Sequence, residues 1–137
     1  MELDEITEAV IEASIAIHRK LGGGLLESVY TLLLAAALER RGLRVQREFP
    51  VSFTYDGMFF ENGFRADLIV ESCVVIETKS MEKLAHVHTK QLLTYLRLLN
   101  LRVGLLLNFG AATMREGVKR VVNDLDPGTS PVLRVNR

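Results

Sequence analysis

The chain has 137 residues, enough for one domain with a buried core, and 48% of them are apolar, which excludes a disordered chain. Its 17 basic and 17 acidic side chains cancel when the histidines are neutral. That balance argues against gripping long duplex DNA by overall charge, and for a confined basic patch or a partner if nucleic acid is bound.

The opening Met1-Glu2-Leu3-Asp4-Glu5 is acidic and lacks the basic and apolar regions of a secretory signal, and no apolar run reaches the length of a membrane span. From Asp4 to about Leu21, Ile6, Ala9, Val10, Ala13, Ile17 and Leu21 recur at helical spacing, with Asp4 as the expected N-cap. Gly22-Gly23-Gly24 breaks this helix. No strand precedes it and no Gly-Lys-Ser/Thr follows, so it reads as a tight helix–helix corner and not a phosphate loop. A second helix is predicted over Leu25 to Arg41, capped by Gly42. Gly24, Glu27 and Tyr30 are spaced by three near its start, so they share a face. Glu27, among apolar neighbours, is either a charge favoured by the helix N-terminus or a ligand.

From Val45 to Tyr55 the odd positions are mostly apolar, as in a strand with one buried face. Asp56-Gly57 turns it into Met58-Phe59-Phe60, and the chain continues through Asn62-Gly63 to Phe64-Arg65-Ala66-Asp67-Leu68-Ile69-Val70. A second turn near Glu71-Ser72 leads into Val74-Val75-Ile76-Glu77-Thr78-Lys79, so a three-strand meander ends at Lys79. Within it Cys73, the only cysteine, reads as a small buried hydrophobe; it cannot form an internal disulfide, which suits a reducing cytoplasm. This hairpin sets Asp67 opposite Glu77, to within one residue, and period-two alternation puts Glu77 and Lys79 on one face. The plainer reading is a cross-strand ion pair on a solvated face. Charges in apolar surroundings are costly unless paired or liganded, however, and two carboxylates beside a lysine are what a hard divalent cation and an activated water need.

Ser80 to Lys83 is a polar crossing, followed by a third helix from about Leu84 or His86 to Leu99. Gln91 and Tyr95, four apart, stack on one of its faces, while His86 and His88 read as helix-start residues. Val103 to Asn108 is the continuous apolar run of a covered parallel strand. Met114 to Asn123 fits a short helix or an edge strand, and Pro127-Gly128 and Pro131 mark a tail. We therefore take residues 1–125 as the domain and 126–137 as a loose tail. Phe59 and Phe60 offer a contact for a homodimer.

The order of elements gives an α/β domain, a mixed sheet with flanking helices. Asp67 with Glu77-Thr78-Lys79 resembles the active-site motif of the PD-(D/E)xK nuclease superfamily, with its restriction-endonuclease-like αβββαβ core. Gly24-Leu25-Leu26-Glu27-Ser28-Val29-Tyr30 is similar to the signature of that superfamily's small GxxExxY proteins. The similarity takes in Arg65-Ala66-Asp67, Gln91 through Arg97 and Val103 through Gly110, and covers roughly residues 5–123. It implies a nuclease that holds Mg²⁺ or Mn²⁺ through Asp67, Glu77, the Thr78 carbonyl and Glu27. Lys79 would position or deprotonate the attacking water and stabilise developing charge. Gln91 and Tyr95 would match the Gln-x-x-x-Tyr element of RecB-type nucleases, which orients the lysine or a substrate phosphate. Two departures stand out: Gly23 replaces an expected proline, and Thr78-Lys79-Ser80 replaces a more usual Leu-Lys-Ala. Clustered carboxylates repel, so one of them is expected to have a raised pKa without metal. The rival readings are a nuclease fold retained only for binding and an enzyme acting on a small phosphorylated metabolite.

Overall fold

The structure is a computed structural model and describes residues 1–124 and 134–136. Two helices come first, α1 (Leu3–Leu21) and α2 (Glu27–Arg40), followed by strands β1 (Val45–Tyr55), β2 (Met58–Val70) and β3 (Val74–Lys79). Helix α3 (His86–Leu99) crosses to β4 (Val103–Asn108); a single turn, α4 (Met114–Gly117), then leads to β5 (Val118–Val122), and β6 (Arg134–Asn136) comes last. The sheet order is β5-β4-β3-β2-β1-β6. Only β3 and β4 are parallel, because a helix joins them where tight turns join β1, β2 and β3.

The sheet is covered on both faces. Ile6, Val10 and Ala13 of α1 and Tyr30, Leu34 and Leu38 of α2 pack on Leu68, Val70, Val74 and Ile76. On the other side Leu92, Leu96 and Leu99 of α3 pack on Ala66, Ile69, Val75 and Leu106. The α/β architecture with a mixed sheet between helices is therefore the expected one. No helix among the described residues is long and apolar enough to cross a membrane.

Local chemistry explains the corners. At the end of α2, Gly42 at φ 87° donates to the Glu39 carbonyl and Leu43 donates to that of Leu38, a paired closure that needs the left-handed backbone. Asp56 and Gly57 have φ of 50° and 74°, and Glu71 and Ser72 have φ of 52° and 56°, so both hairpin turns use the left-handed geometry that matches strand twist. Asp4 does not cap α1. The helix starts one residue earlier behind Glu2, with no side-chain cap, and Asp4 instead pairs with Arg120 of β5 at 3.2 Å. The undecided stretch after Met114 contains both alternatives, a single helical turn and then a strand. Of the expected loose tail, residues 134–136 pair with Ser52–Thr54 of β1, and the remainder lies outside the described residues.

The simple alternation expected for β1 does not hold. Val45 packs with the α1–α2 core while Phe49 and Val51, of the same parity, pack with the α3 core. On β2, Leu68 and Val70 face the first core, and Ala66 and Phe64 the second. The β1–β2 ribbon thus rolls over between these pairs, at Glu48 and Asp67, which lie between the partners Arg47–Leu68 and Phe49–Ala66. Glu48 takes up the roll with φ 49°. A period-two pattern cannot reveal this, because the roll leaves the spacing of apolar residues unchanged.

Candidate active site

The β2–β3 ladder runs from Val70–Val74 to Leu68–Ile76 and stops there. One step further, where Asp67 and Glu77 face each other, side chains replace the main-chain bonds. Glu77 Oε1 accepts from the Asp67 N–H at 3.2 Å, and Asp67 Oδ2 accepts from the Thr78 N–H at 2.9 Å and the Thr78 hydroxyl at 3.1 Å. The roll at Asp67 opens this gap, and the two carboxylates satisfy the amides it would otherwise strand. Each acid therefore has one oxygen tied to the main chain of the opposite strand, and the two carboxyls also share a side-chain hydrogen bond for which Glu77 supplies the proton.

Glu77 is 8% exposed. Burial first, and the Asp67 charge second, push its carboxyl up to about 8, with Lys79 pulling in the opposite direction. The raised pKa expected of crowded acids thus falls on Glu77. Lys79 lies two residues on along the same strand, and among the described residues it forms no ion pair with either acid. Lys79 as a whole is half-buried.

From α3, Tyr95 stacks on Phe64 with ring centroids 3.9 Å apart and planes 10° apart. Burial, then the charges of Glu77 and Asp67, push the Tyr95 phenol up, which places it in the field of the pair. Gln91 is exposed one turn earlier on the same helix. Phe64 was not singled out by sequence; an aromatic three residues before the acid is the only signal it offered.

The expected meeting of three carboxylates is not found. Among the described residues no three His, Cys, Asp or Glu side chains lie close enough together to hold a metal ion. Asp67 and Glu77 meet, while Glu27 is exposed on the first turn of α2. That helix begins two residues later than its sequence suggested because the preceding loop is held by Tyr30. The buried Tyr30 hydroxyl donates to the Gly22 carbonyl at 2.6 Å and accepts from the Leu25 N–H at 3.2 Å, and its ring stacks on Phe109 at 4.3 Å. Gly23 lies against this corner, where a Cβ would come within 2.7 Å of the Phe109 carbonyl oxygen.

Asn108 is a further residue that sequence reasoning missed. Almost fully buried, it accepts from the Met81 and Gly110 N–H groups at 3.0 and 3.1 Å and donates to the Met81 carbonyl at 2.9 Å. It therefore ties the end of β4 to the segment just after Lys79. The available signal was a polar residue closing an apolar parallel strand, at the carboxyl edge where α/β sites gather.

The site is thus an acidic pair at a frayed ladder end of an α/β sheet, with a lysine two residues along. The family model for the PD-(D/E)XK nuclease superfamily matches residues 4–121, and the chain belongs to that superfamily. No curated protein and no solved structure matches the chain.

Proposed function

We propose that this protein hydrolyses phosphodiester bonds in nucleic acid with the help of Mg²⁺ or Mn²⁺, and that it is one of the superfamily's GxxExxY proteins. The observation that carries the reading is the Asp67–Glu77 pair, two carboxyls close enough to share a proton, with Glu77 buried and Lys79 two residues along the same strand. The donor set fits the ion: hard oxygens suit a hard divalent cation, and a carboxyl pushed up by burial and by a neighbouring acid is one that such a cation would help to ionise. Asp67 and Glu77 would hold the ion with the Thr78 carbonyl, and Glu27 would reach it from α2 through a water. When bound, such an ion neutralises charge on the phosphoryl group and acidifies a water.

The chain's own residues supply the rest. Lys79, which forms no ion pair among the described residues, places a positive charge where negative charge develops on the phosphate and orients the attacking water. Tyr95 and Gln91 line the α3 side and hold the substrate backbone. The substrate is DNA or RNA, and the neutral overall charge calls for a confined basic surface, for which Lys79 on β3 and Lys90 and Arg97 on α3 are the candidates. Tyr55, Met58, Phe59 and Phe60 are exposed at the β1–β2 tip and supply the contact of a homodimer. The single unpaired cysteine supports a cytoplasmic setting.

The second reading, a nuclease fold kept for binding alone, is favoured by the separation of Glu27 from the pair. Calorimetric titration of Mg²⁺ and Mn²⁺ into wild type, Asp67→Ala and Glu77→Ala, with and without a short oligonucleotide, decides between the two. Binding by wild type that both variants lose supports the enzyme. No binding to wild type under either condition sinks it and leaves the binding module.

A further inference from the structure

The two positions at which the end of β3 departs from the usual pattern, Thr78 and Ser80, are the positions that grip α2. Thr78 Oγ1 is in hydrogen-bond contact with Thr31 Oγ1, and both residues are buried. Ser80 Oγ donates to the Leu25 carbonyl at 2.8 Å. The two anchor points, Leu25 and Thr31, flank Glu27, and Thr31 Oγ1 also lies 3.0 Å from the Glu27 carbonyl oxygen.

Each hydroxyl has one hydrogen to donate. Thr78 gives its hydrogen to Asp67 Oδ2, and Thr31 Oγ1 has two acceptors in reach for its own, Thr78 Oγ1 and the Glu27 carbonyl, to which it donates at 3.0 Å. The threonine pair thus stands between the Glu27 turn and the Asp67 carboxylate, whose Oδ2 also takes the Thr78 N–H at 2.9 Å. Two donors on Oδ2 fix the carboxylate's rotation and leave Oδ1 pointing away from the main chain. A leucine at 78 could fill the space but could not do this.

We infer that Thr31 and Thr78 are positioning residues: their hydroxyl pair orients Asp67 as a metal ligand and docks the Glu27 turn of α2 against the strand that carries the site. The inference rests on the metal-dependent reading above and adds a role that the acids alone do not require. Partners behind a metal ligand typically change metal affinity about 10–100-fold when removed.

The test is Mn²⁺ affinity by calorimetry, with Tm measured alongside, for wild type, Thr78→Val, Thr31→Val, the double variant and the two Thr→Ser variants. Valine keeps the branched shape and removes the donor. The expected result is Mn²⁺ binding about 10–100-fold weaker in each valine variant, a double variant no worse than Thr78→Val, and wild-type affinity with serine. A merely structural hydroxyl pair would lower Tm and leave the affinity of the folded protein unchanged, so that outcome overturns the inference while the metal reading stands. If the valine variants do not fold, Thr31→Ala takes their place, and wild-type affinity there overturns the inference equally. Failure of wild type itself to bind Mn²⁺ overturns the metal reading, and this inference with it.

Discussion

Replacing Glu77 with Gln keeps the side chain's length and its acceptance from the Asp67 N–H, and removes only the group that ionises. In the metal-free fold that group titrates near 8 and not near 4.5, because it is buried beside Asp67. The folded state therefore holds a proton that the unfolded chain has released across this window. For a carboxyl raised in the fold, the stabilisation is complete below the unfolded value and is lost as pH rises through the folded one. Each pH unit inside the window costs wild type about 1.4 kcal/mol relative to Glu77→Gln, and the whole window roughly 3–5 kcal/mol. Urea denaturation of both proteins in chelator, from pH 5 to pH 9, measures this directly. The curves should diverge steadily, with Gln the more stable at the alkaline end. Parallel curves across that range would show that Glu77 ionises normally, and would remove the argument that the corner awaits a cation.

Two further substitutions test the frame around the site. Tyr30→Phe keeps the stack on Phe109 but loses the bonds to Gly22 and Leu25, and should cost about 1–3 kcal/mol in chemical denaturation; an unchanged midpoint would mean the Gly22–Leu25 corner holds without its staple. Gly110→Ala would drive a Cβ into the Met81 main chain, which Asn108 pins in place, so Tm should fall by the equivalent of about 1–3 kcal/mol. A wild-type Tm would show that the segment after Lys79 can move aside.

Much of this fold was legible because its signals are local. Gly42, Asp56-Gly57 and Glu71-Ser72 mark their turns by chemistry that acts within a few residues. Continuous apolar strands and the helical spacing of apolar residues in α1 identified the layers. The facing of Asp67 and Glu77 was legible too, since a tight turn fixes register at both ends of a hairpin. What escaped depends on distance in sequence. Asp4 looked like a cap until Arg120, far along the chain, was brought beside it. Thr31 looked like an ordinary helix residue because its partner, Thr78, is on another element. The separation of Glu27 from the pair was not legible either, because spacing along a helix says nothing about where the helix points. The roll at Glu48 was invisible because it preserves parity.

The main-chain exchange at the end of the β2–β3 ladder has a consequence for observation as well as for chemistry. In a regular ladder an amide hydrogen faces a carbonyl, whose charge never changes. At Asp67 and Thr78 it faces an acid. These two backbone hydrogens are therefore wired to the electrical state of the corner, and their resonances would shift as Glu77 loses its proton to solvent, whether through a rise in pH or on arrival of a cation. The fold carries its own indicator, built from peptide groups that no substitution is needed to install.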